Sequence, residues 1–291
     1  RAAFHLASVI RDEGDLVEAR RLALSARNSF PNSIGGVWCD NLVREIEAKE
    51  LSISTERVWN DPWPDIAVTY RNVTKVYFKA IEWDYDATLK TRSYWNLNYL
   101  DDRGRKDLLA KKEALAWSVD LSPTEDYRQR CELSPAPKTL KPGFYYIVAS
   151  ASPSFTEGNN QLSYTTVWVS DLALVVRTRW DGGSVEGFVF DAKSGSPVVE
   201  AQVKSYLWQE REQLFAAGPA VTTDRNGFFS FSAPGTGRNT VIVASSGGQK
   251  IATSEGLYLF PRSRTDAQAT HIVFFTDRSL YRPGQIINYK G

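Results

Sequence analysis

Two histidines, His5 and His271, and two cysteines, Cys39 and Cys131, are the only side chains of those types in this 291-residue chain. A serine or cysteine nucleophile needs a base within hydrogen-bond reach. His5 falls on an amphipathic stretch near one end, and His271 on an apolar, strand-like stretch near the other. Nothing in the spacing brings a serine to either, so both read as structural. A reactive thiolate needs a basic or glycine-rich neighbourhood. Cys39 is followed by Asp40-Asn41 and Cys131 by Glu132-Leu133, which supply neither. With no Cys-x-x-Cys and no Cys/His cluster, zinc is not supported. The two cysteines could pair in an oxidising compartment, but they lie in different predicted domains, and two buried free thiols are the expectation.

Carboxylate pairs are the remaining candidates for acid–base work: Asp101-Asp102, Glu125-Asp126, and Asp84 with Asp86. Such pairs usually sit in solvated loops or on strand faces. Asp181-Gly182-Gly183 and the turn from Asp224 through Asn226 to Gly227 lack the alternating oxygen ligands of a calcium loop, and turn formation explains both. No glycine-rich phosphate loop follows a strand and opens a helix. Gly235, Gly237, Gly247 and Gly248 read as hairpin punctuation. The sequence therefore assigns no catalytic, cofactor-binding or metal-binding residue, and no cofactor.

Composition is that of ordinary soluble globular material. Hydrophobic residues make up 42% and charged residues 24%, ordinary values for globular domains. The net charge of +1 gives no electrostatic case for nucleic acid. No apolar run reaches membrane-spanning length. The 9 Trp, 13 Tyr and 14 Phe suit sheets with broad half-buried faces.

The chain divides by pattern. Residues 1–50 read as helical. Ala3, Leu6, Ala7 and Ile10 share a face of a first helix. Gly14-Asp15 breaks it, and Asp15 can cap a second helix with the stripe Leu16, Ala19, Leu22, Ala23, Ala26 and Phe30. Pro31 ends that helix. A third runs from about Ser33 to Lys49 with Leu42, Val43 and Ile46 inward. The arrangement resembles one tetratricopeptide (TPR) repeat, whose familiar role is peptide binding; a helical spacer or cap fits a single copy better.

Residues 51–170 read as a β-sandwich. Ile66, Val68 and Tyr70 alternate, and Val73 to Trp83 makes a long strand. Strands resume at Leu115–Leu121, Tyr127–Leu133, Phe144 onward and Tyr164–Val169. The polar stretch at about 85–114 reads as an insertion with one short helix. Residues 171–262 read as a second, Ig-like sandwich. Val185, Gly187 and Val189 face one way, with Phe188 and Phe190 opposite. Ala201, Val203 and Leu207 alternate with Lys204, Tyr206 and Trp208, and Asp224 to Gly227 reads as a hairpin turn. Residues 263–291 look like the start of a further domain. His271 to Phe275 is a short strand, Pro283-Gly284 a turn, and Ile286-Ile287 a second strand.

Two phrases carry a family resemblance. Thr-Asp-Arg-x-x-Tyr-Arg-Pro-Gly-Gln, from Thr276 to Gln285, resembles the opening of a macroglobulin domain in the bacterial branch of the α2-macroglobulin family. Gly-x-Val-x-Asp-x-x-x-Gly-x-Pro-Val-x-x-Ala-x-Val, from Gly187 to Val203, is similar to the Ig-like sandwiches of bacterial macroglobulins and of carboxypeptidase regulatory domains. The resemblance implies a mainly β chain of tandem sandwiches after a small helical segment. It implies the N-terminal scaffold of a protease inhibitor exported to the periplasm or cell surface, with proteases as partners of the whole protein and envelope proteins as further ones. The family's thioester motif, of the Cys-x-Glu-Gln type, is missing here, and so is a bait segment. The alternative is a peptide- or glycan-binding module, which would be marked by an exposed cluster among Trp59, Trp63, Trp83 and Trp95. A hydrolase lacks any nucleophile–base pair to support it.

Overall fold

The computed structural model describes residues 1–91, 100–158, 160–178, 184–232, 238–253, 256–259, 275–276 and 286–290. It opens with three helices, α1 (Ala2–Asp12), α2 (Leu16–Ser29) and α3 (Ile34–Glu47). Asp15 caps α2 by accepting the Glu18 amide at 3.0 Å, and Ser33 caps α3 through the Gly36 amide at 3.0 Å. Each cap satisfies a donor that the first helical turn cannot. Ala7, Ala19 and Ala23 let the helices approach closely around Cys39, Leu42, Val43 and Ile46. α1 and α3 lie side by side at a constant offset of 34 residues: Phe4 meets Trp38 (5.4 Å between rings), and Arg11 meets Glu45 (3.2 Å).

The expected apolar stripes are corrected at their ends. Leu6 is 54% exposed and Phe30 66%. Leu6 lies about 100° around α1 from Ala7, the buried residue of this helix, and Ala3 is exposed as well. Phe30 sits at the C-cap with φ −139°, outside the helical spiral that would have aimed it inward.

The next strands are β1 (Glu50–Ser54), β2 (Val58–Trp59), β3 (Asp65–Arg71) and β4 (Lys75–Glu82). Two helices follow, α4 (Tyr85–Thr91) and α5 (Asp102–Ala110), where a single helix was expected. Asp84 supplies a hydrogen bond to the first turn of α4, and Asp101 caps α5. Then come β5 (Leu115–Asp120), β6 (Arg130–Pro135), β7 (Gly143–Ser150) and β8 (Leu162–Val169).

A three-stranded sheet, β1-β3-β6, faces a five-stranded one, β2-β8-β7-β4-β5. Ile66, Val68 and Tyr70 of β3 pack between the sheets against Val76, Phe78 and Ala80 of β4. β7 is buried on both faces, which explains its unbroken apolar run. Tyr145, Ile147 and Ala149 enter the inter-sheet core, while Phe144, Tyr146 and Val148 lie among Tyr85, Leu89, Leu100 and Leu108 from the helical insertion.

The second pair of sheets is built from β9 (Leu172–Thr178), β10 (Ser184–Asp191), β11 (Gln202–Gln209), β12 (Leu214–Thr222), β13 (Phe228–Ser232), β14 (Arg238–Ser246), β15 (Gln249–Ala252) and β16 (Leu257–Leu259). The order is β13-β10-β9 in one sheet and β12-β11-β14-β15 in the other, with β16 also on β14. The turn from Asp224 to Gly227 therefore does not close a hairpin. β12 and β13 belong to different sheets, and the turn carries the chain across the sandwich. Its corner is held by the buried Thr223 hydroxyl, which donates to Val198 O at 2.6 Å and accepts the Ala201 amide at 2.8 Å.

β11 departs from simple alternation. A register shift between Lys204 and Tyr206 interrupts its pairing with β12, and Tyr206, Leu207 and Trp208 are all buried. Further on, β17 (Phe275–Thr276) pairs antiparallel with β18 (Tyr289–Lys290). The expected strand start at His271 and the Pro283-Gly284 turn lie outside the described residues.

Candidate interaction surfaces

The residues with chemical potential are placed by the fold in structural roles. Cys39 is buried in the helical core, and burial pushes its thiol pKa up, the wrong direction for a nucleophile. Cys131 is exposed, which corrects the expectation of two buried thiols. It sits on β6, at the edge of its sheet beside β3 among the described strands, and its side chain is on the outer face. His5 is exposed on α1, edge-on to Phe4 at 5.6 Å and to Trp38 at 6.4 Å. The Arg1 guanidinium lies 5.8 Å from the Trp38 ring. His271 lies outside the described residues.

The carboxylate pairs are separated in the same way. Asp84 and Asp101 serve helix starts. Asp86 pairs with Lys250 at 2.5 Å, and Asp126 pairs with Arg130 at 3.7 Å. Asp224 accepts the amides of Phe228 (2.9 Å) and Asn226 (2.8 Å), and those donors hold its carboxyl below the usual carboxylate range. Asp191 is lowered chiefly by the Ser194 amide at 2.8 Å, in the turn around Gly195. Among the described residues no group of three His, Cys, Asp or Glu side chains could hold a metal ion. The segment from Asp181 to Gly183 lies outside them.

Among the described residues, Trp59, Trp63 and Trp83 form no exposed cluster. Trp59 is fully buried, with its indole N–H donating to Thr55 at 3.1 Å. Trp63 packs on it at 6.1 Å. Trp83 is half-buried, donates to Thr88 at 2.7 Å and carries Lys111 over its face at 4.4 Å. Trp95 lies outside the described residues. A buried indole with a satisfied N–H is a packing element and offers no face to a ligand.

What remains is surface. Leu6, Val9, Val17, Phe30, Ile34, Val37 and Trp38 are exposed on the helical segment. A recess of about 310 Å³ lies along β11 and β12, lined by Gln202, Val203, Lys204, Ala220, Val221 and Thr222. Among the described residues lining it, Lys204 is the only charged one. At the far end, Ile286, Ile287 and Tyr289 are 81%, 53% and 70% exposed, beside Lys290, whose ammonium lies 4.9 Å from the Phe188 ring and 5.5 Å from the Phe190 ring. These are exposed apolar surfaces among the described residues.

Sequence reasoning missed the contacts that tie the parts together, because each partner is an ordinary polar residue. Tyr70 with Glu132, Asp86 with Lys250, and Asp171 with Gln249 carry no motif. The helices are fastened to the first sandwich in an equally anonymous way. Asn72, at φ 56°, donates to Ile46 O and Ala48 O, and Arg128 donates to Gly14 O at 2.7 Å.

No family profile matches the chain, and no curated protein matches it. Solved structures do. The segment of native α2-macroglobulin from Escherichia coli spanning domains MG0-NIE-MG1 superposes with a TM-score of 0.52 at 15% identity, covering 71% of this chain and 64% of that one. The NIE-MG1 segment of the same protein gives 0.53 at 14% identity, covering 71% of this chain and 97% of that one. The chain thus spans less than two thirds of the longer segment. Its fold is that of bacterial α2-macroglobulin domains, preceded by a short helical segment.

Proposed function

We propose that this chain is the N-terminal scaffold portion of a bacterial α2-macroglobulin-like protein, an inhibitor that traps proteases. The superposition over 71% of the chain supports the reading most directly. The phrase from Thr276 to Gln285 adds to it from the sequence side. In this reading residues 1–50 form a TPR-like helical spacer, 51–170 a macroglobulin-like sandwich with the insertion at about 85–114, 171–262 an Ig-like sandwich, and 263–291 the opening of a further macroglobulin domain. The work of the portion is mechanical: stiff sandwiches hold later domains around a captured protease. It is non-catalytic, and its cysteines lack the thioester sequence. The family reading places the protein in the periplasm or at the cell surface, with proteases as partners of the whole protein and envelope proteins as neighbours. No helix among the described residues is long and apolar enough to cross a membrane.

Caging makes a distinctive prediction, because a trapped protease keeps its active site but loses access to large substrates. The whole protein, mixed with trypsin, should suppress cleavage of casein while leaving cleavage of a small chromogenic peptide largely intact. The 291-residue chain alone should suppress neither and should form no covalent adduct with methylamine. Unimpeded casein cleavage with the whole protein would remove the inhibitor reading, and methylamine capture by this chain would show that it carries chemistry after all.

A further inference from the structure

Val169 ends β8 and Leu172 begins β9, so only Ser170 and Asp171 join the two sandwiches. A linker this short could still act as a hinge if its polar groups were bonded to water alone. Although the Asp171 side chain is 36% exposed, each group has a protein partner. The Ser170 amide donates to Trp59 O at 3.2 Å, and Asn60 Nδ2 donates to Ser170 O at 3.3 Å. The Ser170 hydroxyl accepts the Leu172 amide at 3.1 Å and donates to Gln249 Oε1 at 3.3 Å. The Asp171 amide donates to the same Gln249 oxygen at 2.5 Å, and Gln249 Nε2 returns a bond to Asp171 Oδ2 at 3.4 Å. Asp171 O accepts the Ala192 amide at 2.7 Å, and Lys193 Nζ lies 3.4 Å from Asp171 Oδ1.

Every backbone and side-chain polar group of the two linker residues is therefore engaged, and the partners come from both sides. Trp59 and Asn60 belong to the first sandwich; Ala192, Lys193 and Gln249 belong to the second. Ser170 itself is 2% exposed. Helix α4 closes the flank. Tyr85 packs its ring 4.9 Å from both Phe144 and Trp168, and Asp86 reaches Lys250, the residue after Gln249. Trp168 and Leu172, on either side of the linker, belong to one continuous apolar cluster that runs through both sandwiches.

We infer that the Ser170–Asp171 junction is a locked joint, with Gln249 as its positioning residue, so that the two sandwiches move as one body. The lock holds whether or not the scaffold proposal does, because it depends only on the joint's own bonds.

Two measurements on the 291-residue chain test it. Spin labels at Ser118→Cys and Gln202→Cys, in a Cys131→Ser background, report the distance between β5 and β11. The wild-type joint should give a single narrow distribution, and Gln249→Ala and Gln249→Glu should broaden it. By hydrogen exchange, the Asp171 and Leu172 amides should be protected, and Gln249→Ala should raise their exchange by about tenfold or more while core amides of β7 and β10 stay unchanged. Gln249→Glu sets a second carboxylate against Asp171 and should open the joint further. A broad distribution in the unaltered joint overturns the inference, and so does a narrow one left unchanged by both substitutions. The wild-type distribution decides the point even if a variant fails to fold.

Discussion

The Tyr70 hydroxyl donates to Glu132 Oε1 at 2.5 Å while the Tyr70 ring is completely buried between the sheets of the first sandwich. The same glutamate oxygen accepts the Ser122 amide at 3.1 Å, and the Tyr70 oxygen lies 2.9 Å from Ser122 O. One side chain from β3 thereby fixes both β6 and the loop after β5. Burial, then the bond to Glu132, pushes the Tyr70 pKa up to about 12. The bond from Tyr70, then that from Ser122, holds Glu132 below the ordinary carboxylate range.

The two shifts act at opposite ends of the pH scale. Glu132, depressed in the folded state, contributes stability that is present above its unfolded pKa near 4.5 and lost as pH falls through the lower folded value. Tyr70, raised in the folded state, contributes stability that is present below its unfolded pKa of 10.0 and lost as pH rises toward about 12. Tyr70→Phe should cost about 1–2 kcal/mol at neutral pH and flatten the alkaline loss. Urea unfolding at pH 7, 10 and 11 checks this, and an alkaline limb unchanged by Tyr70→Phe would refute it.

The two thiols should separate kinetically. Cys131 is exposed and Cys39 is 1% exposed with a raised pKa. A chromogenic disulfide reagent should titrate one equivalent quickly in the native protein and the second only after denaturation. Cys131→Ser should abolish the fast phase. A fast phase that survives that substitution would mean the helical core is open to solvent.

Glycine substitutions should distinguish a packed turn from a free one. Gly227 has φ +72°, and a Cβ there would lie 2.5 Å from Val189 O and 3.1 Å from Pro197 Cβ. Gly248 has φ +78°, but a Cβ there meets nothing within 4 Å. Gly248→Ala should cost about 1 kcal/mol from backbone strain alone. Gly227→Ala should cost more, about 2–4 kcal/mol, because the clash with a fixed carbonyl adds to that strain. Equal costs in denaturant melts would show that the turn at Gly227 yields easily.

Removing Asp266 to Gly291 should leave both sandwiches folded. It takes away the exposed Ile286, Ile287 and Tyr289, together with a β17–β18 ladder of two residue pairs, too short to be stable by itself. The shortened protein should elute as a monomer by light scattering, with a thermal midpoint close to the parent's. Loss of the second sandwich on deletion would show that Lys290, over Phe188 and Phe190, is a structural clamp.

The sequence by itself determined the element types. Alternation at Ile66, Val68 and Tyr70, the caps at Asp15 and Ser33, and the turn residues at Gly195 and Gly227 act within a few residues, and local sterics and hydrogen bonding decide them. Only the tertiary structure decided which faces are covered. Tyr206 and Trp208 stand on the expected polar side of β11 yet are buried. Leu6 and Phe30 fit an apolar stripe yet are exposed, and Cys131 is open where Cys39 is closed. The Asp224–Gly227 turn has hairpin chemistry, yet it crosses between sheets, because sheet membership is set by the long-range pairing of β11 with β14 and of β10 with β13. The joint at Ser170 and Asp171 depends on Gln249, 78 residues from Asp171. A glutamine carries no sequence signal for such a role, because its partner is chosen by the packing of two whole sandwiches and not by its neighbours along the chain.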